Sequence, residues 1–131
     1  MIGEIWTYVA LKPNDGKEKV RPILIIGDDS NNQLKFVDIH YVIISSSAEC
    51  GIYDVLLDEE CANGIGLNRK SVIKTTKIYT GPKSRLGTKI AELPKEIKNE
   101  FYKKYKEYQD NLIRNFYIDD NYKEDWILLF F

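Results

Sequence analysis

Up to about residue 80 the apolar positions fall in short runs separated by turn formers; after Leu93 they recur at helical spacing. GEIWTYVAL (3–11) is rich in aromatic and β-branched residues and predicts a strand. LKPNDGKEK (11–19) carries Pro, Asn-Asp and Gly and predicts a loop with an internal turn. The uninterrupted apolar run in VRPILIIG (20–27) predicts a buried second strand, followed by a turn at DDSNNQ (28–33). LKFVDIHYVII (34–44) predicts a third strand, IYDVLL (52–57) a short fourth, and the segment near 71–79 a fifth after a glycine-rich turn. Five strands joined by short turns predict a small, strongly curved barrel or twisted sheet. Pro94 suits the first position of a helix. Ile97, Phe101, Tyr105, Tyr108 and Leu112 then follow at spacings of 4, 4, 3 and 4, which predicts a helix over about 94–115 with one stripe on the sheet. The class is mainly β with a C-terminal helix.

At 131 residues the chain holds one domain with room for a real core. Its 44% hydrophobic and 30% charged residues are those of an ordinary soluble protein, and no eighteen-residue apolar segment occurs. With no signal-peptide pattern at MIGEIWTYVALK, a cytoplasmic location is expected. Cys50 and Cys61 are expected as reduced thiols. Their spacing fits no zinc pattern and His40 is the single histidine, so neither a metal nor another cofactor is expected.

The formal net charge of −1 conceals segregation. From Cys61 to Ala91 there are seven basic residues (Arg69, Lys70, Lys74, Lys77, Lys83, Arg85 and Lys89) and no Asp or Glu. A phosphate backbone could use such a face, although a solvated surface is the plainer reading. The last residues, WILLFF (126–131), are strongly apolar and follow the acids Asp119, Asp120, Glu124 and Asp125. This tail predicts a last strand, a dimer contact or a plug over a groove.

Three places carry candidate chemistry. Proline restricts the residue before it to extended backbone, so Pro22 holds Arg21 at the mouth of the second strand. A guanidinium there can donate several hydrogen bonds to a phosphate, or form a salt bridge with an acid such as Glu18. Ser45, Ser46 and Ser47 close the third strand, where hydroxyls can bind phosphate oxygens. His40 is a general base by residue type. Five residues of regular strand separate it from Ser45, about 16 Å and on the opposite face, so a structural role is expected.

Taken in order, GEIW (3–6), VRPILII (20–26), IISSS (43–47), GLNRKS (66–71) and KSRLGTKIAEL (83–93) resemble the MazF/PemK/Kid toxins over about residues 1–115. The resemblance implies an SH3-like barrel of five to seven strands packed with one long helix, acting as a homodimer, with 116–131 as an extension on the body or the dimer. It also implies the toxin of a type II toxin–antitoxin system, neutralised by a cognate antitoxin protein. The implied activity is metal-independent, sequence-selective cleavage of single-stranded RNA or mRNA to 2′,3′-cyclic phosphate and 5′-hydroxyl ends. Carried over residue by residue, the catalytic pair falls on Arg21 and Ser45. RNA contacts fall on Lys17, Lys19, Ser46, Ser47, Thr76, Lys77 and Arg85.

The chain departs from the family pattern at three points. The loop before Arg21 is short, so base preference does not transfer. Thr76 stands where many relatives have an acid, so a mechanism that needs that carboxylate does not transfer either. Serine replaces the usual threonine at 45, with Ser46 and Ser47 as alternatives. The rival reading is a non-catalytic member of the fold that acts by protein binding. It would be either a CcdB-like gyrase poison using its C-terminal tryptophan, here Trp126, or a decayed toxin.

Overall fold

The computed structural model describes residues 1–11, 16–29 and 37–116. Pro13, most of the turn expected at 28–33, the start of the third expected strand and the whole 117–131 tail with Trp126 lie outside the described residues. The described elements are β1 (Glu4–Leu11), β2 (Glu18–Asp28), β3 (Asp38–Ser45), β4 (Val55–Leu57), α1 (Glu59–Gly64), β5 (Ser71–Pro82), a 3₁₀ turn (Lys83–Arg85), β6 (Leu86–Glu92) and α2 (Lys95–Phe116). The six strands form one antiparallel sheet, ordered β4-β5-β3-β2-β1-β6, that curls into a half-barrel.

The apolar run of β2 is buried on both faces. Ile23, Leu24 and Ile25 are all at most 1% exposed. Leu24 joins Ile5, Val42, Ile44, Ile73, Leu93 and Phe101 on one face, against which α2 packs Ile97, Phe101 and Tyr105; Tyr108 of the expected stripe rests on Tyr53, and Leu112 is exposed because the helix has run past the core. Ile23 and Ile25 join Tyr8, Ile39 and Tyr41 on the other. Gly3 closes the edge: its φ of 85° is one that L side chains rarely adopt. Its N–H donates to Ile25 O and its carbonyl accepts from Leu93 N, each at 2.8 Å. The GEIW turn thereby joins β2 to the entrance of α2.

Three features depart from the sequence expectation. The fourth strand is only Val55–Leu57, because Ile52 and Tyr53 form a turn. A short helix that was not expected, α1, runs into the start of the glycine-rich turn; it is capped by Asp58, whose Oδ1 accepts from Cys61 N at 2.8 Å, with Glu59 and Glu60 in the first turn. A sixth strand, β6, pairs with β1.

Asp54 ties the loop after β3 to the sheet. It is 2% exposed; its Oδ2 accepts from Gly51 N at 2.7 Å and Lys74 Nζ at 2.6 Å, and its Oδ1 from Thr75 N at 3.1 Å. Lys74 Nζ also donates to Glu49 O at 3.1 Å, and Lys104 of α2 donates to Asp54 O at 2.9 Å. The Asp54 carboxylate thus joins residues 49–54 to β5, and its backbone carbonyl ties the same loop to α2.

Candidate nucleic-acid interface

Side chains alternate along β3, and its odd positions Ile39, Tyr41 and Ile43 share the face of Ile23 and Ile25. Arg21 and Ser45 belong to the same alternation. The β2–β3 ladder pairs Leu24 with Val42 and Ile23 with Ile43. Carried two residues further along both strands, that register sets Arg21 level with Ser45. On the other side of Arg21 stands its partner in β1, Tyr8. Two residues 24 positions apart in sequence therefore fall on one sheet face, level with each other when the β2–β3 register is extended beyond its last pair.

Arg21 is half-buried, and among the described residues no carboxylate lies within ion-pair distance of it. The salt bridge to Glu18 that the sequence allowed is not formed. Ser45 Oγ accepts from Ser47 N at 3.3 Å and Ala48 N at 3.2 Å. Those two bonds occupy the oxygen and leave its proton to be donated outward. Ser46 and Ser47 are exposed beside it.

His40 stands apart from this pair. It lies on the opposite alternation of β3, with Nε2 2.9 Å from Asp29 Oδ1 and Nδ1 2.9 Å from Thr80 Oγ1. Both ring nitrogens are engaged with partners away from Ser45, on the opposite side of the strand from Arg21.

The basic residues divide. Lys17, Lys19 and Lys77 are exposed, and Lys19 shares the alternation of Arg21 along β2. Thr76 and Lys77 sit in a bulge: between the pairs Val42–Ile78 and Ile44–Ile73, two steps of β3 face five of β5. Arg85 is half-buried, with Nη1 3.5 Å from Val9 O, and its charge acts on Tyr8 and Tyr41. Lys74 and Lys89 are drawn off into ion pairs with Asp54 and Glu4. Lys74 therefore leaves the groove expected from sequence.

A row of tyrosines crosses this face, a feature the sequence reading missed. Tyr8 packs on Tyr41 with ring centroids 4.7 Å apart, and Tyr41 on Tyr79 at 5.7 Å and 22°. Tyr8 donates its hydroxyl to Pro82 O at 3.2 Å, beside Gly81, where any Cβ would collide with that hydroxyl. Burial raises Tyr41 to about 12 and raises Tyr8 as well, so both stay neutral phenols near pH 7. Only their β5 neighbour Tyr79 is well exposed.

Cys50 is exposed and Cys61 half-buried, and neither is in a disulfide. Among the described residues no group of three or more His, Cys, Asp or Glu is placed to hold a metal ion. No helix among them is long and apolar enough to cross a membrane.

The family model of the PemK-like, MazF-like toxins of type II toxin–antitoxin systems matches residues 2–107. No curated protein sequence matches the chain. Among solved structures, Mycobacterium tuberculosis toxin MazF-mt6 superposes with a TM-score of 0.60 at 21% identity, over 80% of this chain and 96% of that one. A Deinococcus radiodurans MazE-MazF structure gives 0.63 at 18% identity, over 83% and 94%. A mycobacterial endoribonuclease in complex with its cognate antitoxin gives 0.57 at 15% identity, over 80% and 89%. At such identities these structures are alike in fold. The family match spans most of the chain, which belongs to the PemK-like, MazF-like toxins of type II toxin–antitoxin systems.

Proposed function

We propose that this toxin is an endoribonuclease that cleaves single-stranded RNA and works in the cytoplasm as a homodimer held in check by a cognate antitoxin. The observation that carries the reading is the strand alternation that puts Arg21 and Ser45 on one sheet face, at matching positions of the extended β2–β3 register. Arg21, with no carboxylate partner among the described residues, stands level with Ser45, whose hydroxyl proton is left to donate. Members of the same fold are described as endoribonucleases and as complexes with antitoxins, which supports both the activity and the partner.

The chemistry is internal to the RNA. The ribose 2′-oxygen forms a new bond to the adjacent phosphorus, the bond from phosphorus to the 5′-oxygen breaks, and the 5′-oxygen leaves with a proton. The products are a 2′,3′-cyclic phosphate and a 5′-hydroxyl. Arg21 stabilises the charge gathering on the phosphate oxygens, and Ser45 donates a hydrogen bond that orients the phosphate for in-line attack. Lys17, Lys19, Ser46, Ser47, Thr76, Lys77 and Arg85 would line the path of the strand. Neither phenol of the buried tyrosine pair serves as a base near pH 7, since burial raises both.

Incubation of the purified protein with single-stranded RNA tests the activity: cleavage at discrete sites is expected, and intact RNA would contradict it. Binding should also weaken steeply with salt. Removing one lysine–phosphate pairing lowers the log–log salt slope by about 0.7 for single strands. Lys77→Glu should reduce that slope and weaken all RNAs alike. Affinity unchanged between low and high salt would leave the basic strip as a solvated face.

A further inference from the structure

Tyr79 is the one member of the tyrosine row that opens to solvent. It is 47% exposed, against 8% for Tyr41 and 3% for Tyr8. A tyrosine on a strand normally lies against the sheet or swings with its rotamers. This one is stacked nearly parallel to Tyr41, which is itself wedged against Tyr8. The Tyr8 hydroxyl is fixed to the Pro82 carbonyl. Three strands therefore hold the Tyr79 ring in one orientation, so little rotamer entropy remains to be lost when something packs on it.

Its surroundings say what that something is. Tyr79 pairs with Tyr41, four residues along β3 from Ser45, or about 13 Å, and on the same alternation. It shares a sheet face with Arg21. Lys77 is exposed two residues away in the β5 bulge, Arg85 acts on the neighbouring ring, and the surrounding sequence from Cys61 to Ala91 carries no acid. Asp38 is the acid that acts on this row, at Tyr8. An exposed aromatic could equally anchor a protein partner. A ring held flat on the face that carries Arg21 and Ser45, with Lys77 two residues away and Arg85 acting on both of its row neighbours, instead matches the way single-stranded nucleic acid is bound: basic side chains track the backbone and aromatic rings take the bases.

We propose that Tyr79 is a stacking platform for a base flanking the cleaved step, so that the Tyr8–Tyr41–Tyr79 row sets where along the RNA the scissile phosphate meets Arg21 and Ser45. This rests on the ribonuclease reading above. Stacking alone is sequence-tolerant, so the platform fixes register and affinity, while base identity is read elsewhere.

The test uses an RNA oligonucleotide spanning a cleavage site mapped with the full-length protein. Its 2′-oxygen is methylated at the scissile nucleotide so that it is bound but not cut, and 2-aminopurine is placed in turn at each flanking position. The full-length protein should quench the probe at one position. Tyr79→Leu should abolish that quenching and weaken binding about 5- to 150-fold. Tyr79→Phe, which keeps the ring, should retain both. Thermal melting of each variant separates this from a folding defect, since loss of quenching by a folded Tyr79→Leu protein reports the stacking itself. Quenching and affinity retained in Tyr79→Leu, with cleavage by the unaltered protein intact, would overturn the platform and leave the ribonuclease reading standing. Sedimentation gives the remaining arm. A change of oligomeric state in Tyr79→Leu with quenching retained would assign the ring to a protein interface and overturn the proposal. If the unaltered protein neither cuts nor binds RNA, both readings fall together.

Discussion

Arg21→Ala should lower RNA cleavage about 100- to 1,000-fold, the scale for losing one donor that acts on charge developing in the transition state. The guanidinium is half-buried on β2, which begins at Glu18 and so carries Arg21 three residues inside the strand rather than at its mouth, and it pairs with no acid among the described residues, so its removal strands no buried partner. The melting temperature should therefore stay close to that of the parent. Ser45→Ala should cost less, because a neutral hydroxyl gives a weaker bond than a guanidinium. It also frees the Ser47 and Ala48 N–H groups, which are near solvent and can bond to water. Arg21→Lys separates charge from geometry: an ammonium keeps the charge but cannot offer the planar fork, so partial recovery is expected. Wild-type rates in both Arg21→Ala and Ser45→Ala would show that the chemistry lies elsewhere on the molecule.

Asp54→Ala should produce the opposite signature, a loss of stability first. The mutation leaves the Gly51 and Thr75 N–H groups and the Lys74 ammonium without their shared acceptor. Removing one partner of a buried ion pair costs about 3–5 kcal/mol. For a domain of this size that is a fall of about 10–20 °C in melting temperature. Asp54→Asn should fall between the two, since the amide oxygen still accepts from Thr75 N while the charge facing Lys74 is gone. Because residues 49–54 continue the loop that begins at Ser45, cleavage by Asp54→Ala should also decline below its melting point. An unchanged melting temperature would mean that the carboxylate is not the tie it is drawn as.

These two residues show where sequence reading reached and where it stopped. Arg21 could be singled out because its neighbours are informative alone: a proline that fixes the backbone and an apolar run that must be buried. The structure supplies the reason for that run, burial of Ile23, Leu24 and Ile25 against two different clusters. The helix was equally plain, since Ile97, Phe101 and Tyr105 carry its periodicity to the core. Several of the signature residues that identify the family do fold work. Gly3 adopts a positive φ, Glu4 binds Trp6 Nε1 and Lys89, and Leu86 packs beside Tyr8 and Tyr41. Asp54 gave no such signal, because its partners lie 20 and 50 residues away and become neighbours only when β5 and α2 dock. Lys74 looked like one more groove cation for the same reason. The tyrosine row was hidden because its members come from β1, β3 and β5, and only the register of three strands aligns them. Strand β6 escaped because it pairs only with β1, and its half-exposed residues show no run of buried apolar positions. Helix α1 escaped because its six residues are too few to show a helical period and end in the turn formers Asn63 and Gly64.

The central claim is that the nucleophile comes from the RNA and that Arg21 serves the phosphate it attacks. The most direct measurement is the chemistry of the new ends when the full-length protein cuts single-stranded RNA in excess EDTA. Cleavage without added metal is expected, giving 5′-hydroxyl ends that accept phosphate directly from polynucleotide kinase and 3′ ends closed as 2′,3′-cyclic phosphates. Arg21→Ala protein assayed beside it should give almost none of either. Strict dependence on magnesium, or 5′-phosphate ends that resist the kinase until a phosphatase removes them, would contradict it.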